Sequence, residues 1–254
     1  MMIRRPGYQV LGSQGEVMLV INWMSKPPIT VDVNATLQDA IQLLKKHDIH
    51  MLPVVENDQI MGVITDRDVK QASNSNVVSL ENHDLAKSIS RIKIKAVMNK
   101  RPITVPHNHT LEETAVVLFV HNISGVPVVN PEGKLVGVFT KNDLFRAFIS
   151  LTGINKRGIQ FALRLKDQPG VIKEVTDIIR DYGGRIASML STCERAEKGY
   201  LNVYVRAYDL DLPSRHRIRE IIRDKGTLLY LVDFEENKRE MYQPAGTRYP
   251  FKAA

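Results

Sequence analysis

Apolar residues follow first a helical spacing and then two short strand-like segments, and this order occurs twice along the chain. Apolar residues recur every three or four positions over residues 36–47 and again over 110–121, which predicts two amphipathic helices. Each predicted helix is followed by two short apolar segments joined by a polar turn, as in a β-hairpin. The hairpin strands are expected at 51–56 and 59–65, and again at 125–130 and 134–140. A second helix is expected directly after each hairpin.

Short motifs repeat in register with these elements. Each copy holds three of them: Ile-Thr-Val at 29–31 and 103–105, Pro-Val-Val at 53–55 and 127–129, and Gly-x-x-Thr-x-x-Asp at 62–68 and 137–143. The first two pairs lie 74 residues apart and the third 75 apart, so the second copy has one extra residue. That residue falls in the hairpin turn, where insertions are tolerated. The sequence therefore predicts two copies of one structural unit, and the seam between such copies is a natural ligand site.

The pattern changes after Gly153. The predicted order is strand, helix, strand, strand, helix, strand, at residues 159–166, 171–182, 185–193, 200–206, 213–225 and 227–234. This βαββαβ order is that of a ferredoxin-like unit, and with the two copies it gives a mixed α/β (α+β) fold class. Residues 1–17 and 238–254 show neither period and are expected to be a disordered leader and a disordered tail.

Composition narrows the classes of function. The single cysteine, Cys193, excludes an intrachain disulfide and indicates a reducing, cytoplasmic setting. No apolar run approaches the roughly 20 residues of a membrane span, so no membrane partner is expected. The net charge of +7 raises nucleic acid as a partner, but the excess is spread along the chain instead of forming one basic stripe. No acid/base pair, activated nucleophile or Gly-rich phosphate loop is recognisable, so an enzyme is not expected.

The Thr-x-x-Asp motifs at 65–68 and 140–143 have two interpretations. As a capping box, the threonine hydroxyl accepts a hydrogen bond from a backbone N–H three residues on, and the carboxylate reaches back. Thr36-x-x-Asp39 has the same spacing, so the chain uses such caps elsewhere. As part of a nucleotide site, the carboxylate accepts both ribose hydroxyls. One residue can fill both roles.

On these doubled motifs, the first part of the chain resembles a tandem pair of CBS domains, a Bateman module, with domains expected at 18–90 and 91–152. Residues 153–237 resemble an ACT domain, because an Asp-x-Pro-Gly turn at 167–170 precedes the first helix of the βαββαβ unit. A CBS pair followed by one ACT domain is similar in order to AcuB-type acetoin-utilisation proteins.

The CBS resemblance implies an adenine nucleotide (AMP, ADP or ATP) or a related adenosyl compound as regulatory ligand, with no metal. Asp68 and Asp143 would accept the ribose hydroxyls, and Arg67, Arg101 and Lys141 would face phosphate. In the first copy Asp66 would repel phosphate, whereas the second copy has Lys141 at the equivalent position. The other residues implied for this site are Ile29, Thr30, His50, Met51, Pro53, Thr65, Ile103, Thr104, Ser124, Gly125, Val126, Pro127 and Thr140.

The ACT resemblance implies a second small-molecule site, because Gly170 leaves room at a helix N-terminus that stabilises a carboxylate. Its residues would be Asp167, Gln168, Gly170, Val171, Ile186 and Ser188. The alternative is a tight turn without a ligand, in a domain that serves pairing or packing. His107 and His109 lack a third ligand at fixed spacing and do not predict a metal site.

Two hypotheses follow from these resemblances. In the first, the protein is a homodimeric regulator that binds its ligand between the CBS copies and passes a conformational change through the ACT domain. Its output would be acetoin or acetyl-CoA metabolism, through an unidentified metabolic enzyme. In the alternative, both modules serve assembly as an interaction scaffold and the clefts bind nothing.

Overall fold

The structure, a computed structural model, describes residues 18–75 and 91–242. The chain divides into two compact units at Phe145/Arg146. The expected leader at 1–17 and residues 243–254 of the expected tail lie outside the described residues.

The first copy begins with a short helix and contains a three-stranded sheet. Its elements are α1 (Val20–Trp23), β1 (Val31–Asp32), α2 (Leu37–His47), β2 (Met51–Glu56), β3 (Gln59–Thr65) and α3 (Asp66–Ser75). β2 is central, parallel to β1 and antiparallel to β3. The apolar side of α2 packs into the core through Leu37, Ala40 and Leu44, which are all buried, as the helical spacing predicts.

The second copy repeats this arrangement. Its elements are α4 (Ile94–Val97), β4 (Val105–Pro106), α5 (Leu111–Val120), β5 (Gly125–Val129), β6 (Leu135–Thr140) and α6 (Lys141–Leu151). The extra residue lies in the hairpin turn, as expected. Asn57 and Asp58 form a two-residue turn with φ of 49° and 64° in the first copy. The second copy uses a longer turn in which Gly133, at φ 76°, donates its N–H to Asn130 O at 2.9 Å.

The short leading helices are exchanged between the copies. Ile94 of α4 is fully buried in the core of the first copy, and its N–H donates to Ala35 O at 3.0 Å. In the same way, the N–H of Val20 in α1 donates to His109 O of the second copy at 2.9 Å. Neither helix was predicted, because four residues are too few to show a period. The exchange makes each copy complete only in the presence of the other.

The second unit is a five-stranded sheet in the order β11-β10-β7-β9-β8. Its elements are a 3₁₀ turn (Ile154–Lys156), β7 (Ile159–Lys166), α7 (Val171–Asp181), β8 (Arg185–Thr192), β9 (Tyr200–Tyr208), α8 (Leu212–Lys225), β10 (Thr227–Asp233) and β11 (Lys238–Met241). The βαββαβ order agrees with the prediction. Alternate residues of β7, from Ile159 to Leu165, join both helices in one buried core.

The prediction of a disordered tail was wrong for the first residues of that segment. Lys238–Met241 form β11, which pairs antiparallel with β10. Glu240 of this strand lies 2.6 Å from a guanidinium nitrogen of Arg219 on α8. Main-chain pairing and this ion pair, instead of an apolar face, hold β11 in the sheet, so no alternation was visible in its sequence.

Candidate ligand site at the seam between the two copies

Three segments of the first copy converge at one edge of its sheet. Because β1 and β2 are parallel, Thr30, just before β1, lies at the same end of the sheet as Met51, the first residue of β2. The antiparallel strand β3 ends there too, since Thr65 pairs with Met51. The N–H of Asp66 donates to His50 O at 3.1 Å and extends this pairing. The fold thus brings together the predicted residues that precede β1, begin β2 and follow β3.

The second copy builds the same edge. β4 is parallel to β5, which places Thr104 near the start of β5. Gly125 pairs with Thr140, and the N–H of Lys141 donates to Ser124 O at 2.9 Å. The two predicted sets of site residues are therefore structurally equivalent.

Each edge ends in a capping box. The N–H and hydroxyl of Thr65 donate to Asp68 Oδ2 at 2.8 and 2.7 Å, and Asp68 N–H donates to Thr65 Oγ1 at 3.3 Å. Thr140 and Asp143 make the same three contacts at the same distances. The capping interpretation of both Thr-x-x-Asp motifs is thereby confirmed.

The cap occupies one oxygen of the Asp68 carboxylate. Oδ1 of the half-buried Asp68 makes no hydrogen bond to the residues that the structure describes, so it remains an acceptor for a ligand hydroxyl. Asp143 is 5% exposed and presents less of its carboxylate to solvent. The geometry of Asp68 is compatible with capping and ligand binding at once.

The two edges meet at the seam between the copies. A Cβ placed on Gly125 would lie 3.3 Å from Met51 Cε, so the end of the Met51 side chain of the first copy reaches the first residue of β5 in the second copy. The site residues of both copies thus border one shared seam.

Backbone hydrogen bonds fix this seam on both sides. Val63 donates to Asn99 O at 3.1 Å and accepts from Asn99 N–H at 2.9 Å. Ser25 and Val138, the equivalent pair, exchange hydrogen bonds of 2.9 and 3.1 Å. These contacts were not predicted, although Met24 and Met98, which precede Ser25 and Asn99, repeat with the same spacing of 74.

Comparison with known proteins assigns the first unit to a family. A family model for the CBS domain matches residues 18–75 and 94–150. A CBS domain-containing protein from Dictyostelium discoideum is 34% identical over 135 residues, which are 53% of this chain and 93% of that protein. The chain belongs to the CBS domain family. Several curated relatives are longer, and the chain spans less than a quarter of their length.

Two solved structures are similar to the CBS pair. One is the CBS domain pair of protein MJ0100 in complex with 5′-methylthioadenosine and S-adenosyl-L-methionine, 32% identical, covering 51% of this chain and 98% of that chain with a TM-score of 0.44. The other is a candidate acetoin utilization protein (AcuB) from Vibrio cholerae, 27% identical, covering 54% and 95% with a TM-score of 0.47.

The two CBS domains differ in charge at their site edges. In the first, Asp66 Oδ2 lies 3.5 Å from His50 Nδ1 and 3.8 Å from Lys70 Nζ. Ser124 and Lys141 occupy the positions of His50 and Asp66 in the second. Lys70 was missed at the sequence level, although its i,i+4 spacing from Asp66 is typical of a helical ion pair. Lys70 therefore offsets part of the charge of Asp66 in the first edge, whereas the second edge carries Lys141 in place of that acid.

The predicted site residues of the CBS domains differ in how far they are exposed. Pro53, Pro127 and Val126 are buried in the sheets, so they shape the edge and do not present a surface to a ligand. Arg67 and Arg101 are exposed and free to turn toward a phosphate. The predicted site residues at these edges that are half-buried include Ile29, Thr30, Met51, Ile103, Thr104 and Gly125.

The fold does not assemble the second predicted site, in the C-terminal unit. Asp167 follows the last residue of β7, and its N–H donates to Gly199 O at 2.8 Å. Ile186 pairs with Ala207, which pairs with Ile159 at the other end of β7. About seven residues of strand, roughly 20 Å, separate the two groups. Ser188 lies beside Ile186 and donates its hydroxyl to Thr152 O at 2.8 Å. Gly170, at φ 89°, forms an exposed turn without them.

Other candidate chemistry is sparse in the described parts of the chain. Residues 18–75 and 91–242 hold no group of three or more His, Cys, Asp or Glu side chains that could bind a metal ion. Cys193 is a free, exposed thiol. Among the helices that the structure describes, none has the length and apolar character needed to cross a membrane.

Proposed function

We propose that this protein is a regulatory, non-catalytic sensor whose CBS pair binds an adenine nucleotide or a related adenosyl ligand along the seam. The observation that carries the proposal is the position of Asp68 and Asp143. Each caps a helix at the sheet edge beside the seam, where apolar side chains and backbone groups of the same copy converge. A purine needs such an apolar slot, and a ribose needs an acceptor at its rim.

The charges at the two edges support different preferences for phosphate. Lys141, in the first turn of α6, combines with the helix N-terminus into a favourable site for an anion. Asp66, in the first turn of α3, weakens that attraction even with Lys70 nearby. We assign polyphosphate binding to the second edge and a less charged adenosyl compound to the first.

A path for the signal starts at α6. This helix carries Asp143 in its first turn and ends at Leu151. The next carbonyl, Thr152 O, accepts from Arg206 Nε at 3.0 Å and from Ser188 Oγ at 2.8 Å, and Arg206 is 4% exposed. A ligand shifts a conformational equilibrium only through its different affinity for the two states. We propose that a ligand on Asp143 biases the position of α6 and thereby the C-terminal unit, which we assign as an ACT domain.

The process that the protein would regulate is inferred from its domain order alone. A CBS pair followed by an ACT-like unit is similar to AcuB-type proteins, and on that basis we propose a cytoplasmic homodimer that regulates acetoin or acetyl-CoA metabolism through an enzyme partner. Neither nucleic acid nor a membrane enters the proposal.

Isothermal titration calorimetry of the full chain with AMP, ADP, ATP and S-adenosylmethionine tests the binding site. The variant is Asp68→Ala/Asp143→Ala, and the matched control is Asp39→Ala. Asp39 caps α2 through Thr36 with contacts of 2.8, 2.7 and 3.3 Å, the same as those of Asp68. Both substitutions remove caps worth about 1 kcal/mol each, but only the first removes acceptors at the seam.

The proposal predicts micromolar binding that the double variant loses and the control keeps. Equal binding by the double variant would refute the assignment of the aspartates. Absence of heat for all four ligands with the folded wild type would favour the scaffold function instead.

A further inference from the structure

The sheet of the C-terminal unit has a face opposite to its two helices. Alternate residues of β7, from Ile159 to Leu165, pack in the core with α7 and α8, so the residues between them point away from both helices. Residues that pair directly across antiparallel strands lie on the same face. We call the surface formed by Gln160, Ala162, Arg164 and their cross-strand neighbours the open face.

An apolar row crosses the middle of the open face. From β11 to β8, its cross-strand neighbours are Met241, Tyr230, Ala162, Tyr204 and Leu190. The rings of Tyr204 and Tyr230 are half-buried, with centroids 6.3 Å apart. At the ends of the row, Leu190 and Met241 are 46% and 75% exposed. This tyrosine row is an aromatic surface on which a flat ring can pack.

Two buried arginines flank the tyrosine row, but the chain satisfies only one of them. Arg206 is 4% exposed and donates from all three nitrogens to acceptors of its own unit, which are Thr152 O at 3.0 Å, Arg157 O at 3.3 Å and Gln160 Oε1 at 3.1 Å. Arg164 is 9% exposed, and its Nη1 donates to Glu197 Oε1 at 2.9 Å. Its Nε has no hydrogen-bond partner among the residues that the structure describes. Arg164 therefore retains a donor for a further acceptor.

The neighbour of Arg164 on β9 is unsatisfied as well. Asn202 pairs with Arg164 across the strands and is 6% exposed. Within residues 18–75 and 91–242, its Oδ1 is enclosed without a hydrogen bond. A buried polar group that lacks a partner in its own chain calls for one from outside, such as a water or a ligand. Arg164 and Asn202 thus form a polar position beside the tyrosine row that the described chain does not complete.

Glu197 shows which chemical group this position takes. It lies in the loop between β8 and β9, and its side chain is 70% exposed although it pairs with the buried Arg164. Ion pairs of such exposed acids contribute little to stability, so Glu197 can leave at a small cost. A carboxylate that arrives from solvent can therefore take its place.

We infer that the open face binds a small aromatic carboxylate, whose charged group replaces Glu197 at Arg164 and whose ring covers the tyrosine row. A guanidinium holds a carboxylate by two charge-assisted hydrogen bonds, and Nε supplies the second. Asn202 can turn its amide so that Nδ2 donates to the same carboxylate. Successive residues on one face of a strand lie about 7 Å apart, so a ring attached to the carboxylate reaches the tyrosines. The site belongs to the C-terminal unit alone and is independent of nucleotide binding.

Fluorine NMR of 4-fluorobenzoate with the full chain tests the inference, because its line broadening yields the dissociation constant. Glu197→Gln removes the competing carboxylate. The matched control is Glu194→Gln, which makes the same change of charge at an exposed position of the same loop. Arg164→Gln removes the guanidinium and Tyr204→Leu removes one ring, with circular dichroism to check folding. 4-Fluorobenzamide presents the same ring without the charge.

The expected result is saturable binding that Glu197→Gln strengthens about two- to fivefold and Glu194→Gln leaves unchanged. Arg164→Gln should weaken binding about tenfold or more, and 4-fluorobenzamide should bind the wild type as weakly. Tyr204→Leu should weaken it in the same direction. The Asp68→Ala/Asp143→Ala variant should bind 4-fluorobenzoate like the wild type, which separates this site from the seam.

Absence of binding by both the wild type and Glu197→Gln would overturn the inference. An equal gain in both glutamate variants would show only a general attraction of anions and overturn it too. A folded Arg164→Gln that binds as well as the wild type would have the same consequence. If Arg164→Gln does not fold, the comparison of Glu197→Gln with Glu194→Gln still decides, since both positions are exposed.

Discussion

Gly62 and Gly137 are equivalent glycines at the seam, but they face different obstacles. A Cβ on Gly62 would lie 2.6 Å from the backbone oxygen of Asn99, which accepts a hydrogen bond from the next residue of β3. At Gly137 the atom nearest to a Cβ is Met24 Sδ, at 2.4 Å. A methionine side chain can turn away, whereas the Asn99 backbone cannot move without breaking its bridge.

Gly62→Ala should therefore destabilise the first unit more than Gly137→Ala. Loss of the two hydrogen bonds between Val63 and Asn99 costs about 1 kcal/mol each, or about 2 kcal/mol in all. Repacking of the buried Met24 after Gly137→Ala should cost about 1 kcal/mol. Trp23 is the single tryptophan and is buried in α1, so its fluorescence reports unfolding of this unit in urea.

The comparison of the two alanine variants is its own control, since both add one methyl group to equivalent strands. An equal loss of unfolding free energy in both, or a loss below about 0.5 kcal/mol for Gly62→Ala, would show that the Asn99 bridge does not hold the seam.

Other predictions concern stability. Hydrogen bonds from Thr36 hold the pKa of Asp39 below its ordinary value, and those from Ser214 do the same for the pKa of Asp211. The stabilisation from these two carboxylates is complete above the unfolded pKa of about 3.9 and is lost as the pH falls through the lower folded pKa. In urea unfolding from pH 7 to 3, the free energy of unfolding should therefore fall below about pH 4. Asp39→Asn should reduce this fall. Asp233→Ala should destabilise the second unit by about 3 kcal/mol in thermal unfolding, because Asp233 and Arg215 form a buried pair with N–O distances of 3.2 and 3.0 Å. Glu220→Ala, which breaks an exposed pair with Arg217, should leave the melting temperature unchanged. A similar fall in melting temperature for Asp233→Ala and Glu220→Ala would contradict the role of burial.

Local spacing predicted much of the fold because most elements carry their signal within a few residues. The Thr-x-x-Asp spacing predicted caps at Thr65 and Thr140, and both have the expected hydrogen bonds. The period of α2 predicted which residues it buries. The doubled motifs predicted the two copies and the turn that holds the extra residue.

Features that depend on long-range pairing could not be predicted in this way. The exchange of α1 and α4 between copies involves helices of four residues, and β11 is held by its neighbour strand and by Arg219. The residues of the second predicted site do not meet because β8 runs in the same direction as β7, with β9 between them, so Ile186 lies at the Ile159 end of the sheet and Asp167 at the other end. Contact between Met51 and Gly125 likewise needed the packing of one copy on the other.

The most direct test of the central claim is a calorimetric comparison of AMP with its 2′-deoxy and 3′-deoxy analogues, on the wild type and on the Asp68→Ala and Asp143→Ala variants. A hydrogen bond to a charged acceptor contributes about 1.5–3 kcal/mol, or roughly 10- to 100-fold in affinity. If an aspartate accepts the ribose hydroxyls, the deoxy analogues should bind the wild type that much more weakly, and the alanine variant should bind AMP and its analogues alike. Equal binding of AMP and the deoxy analogues by the wild type, or an undiminished preference for AMP in both variants, would contradict the account.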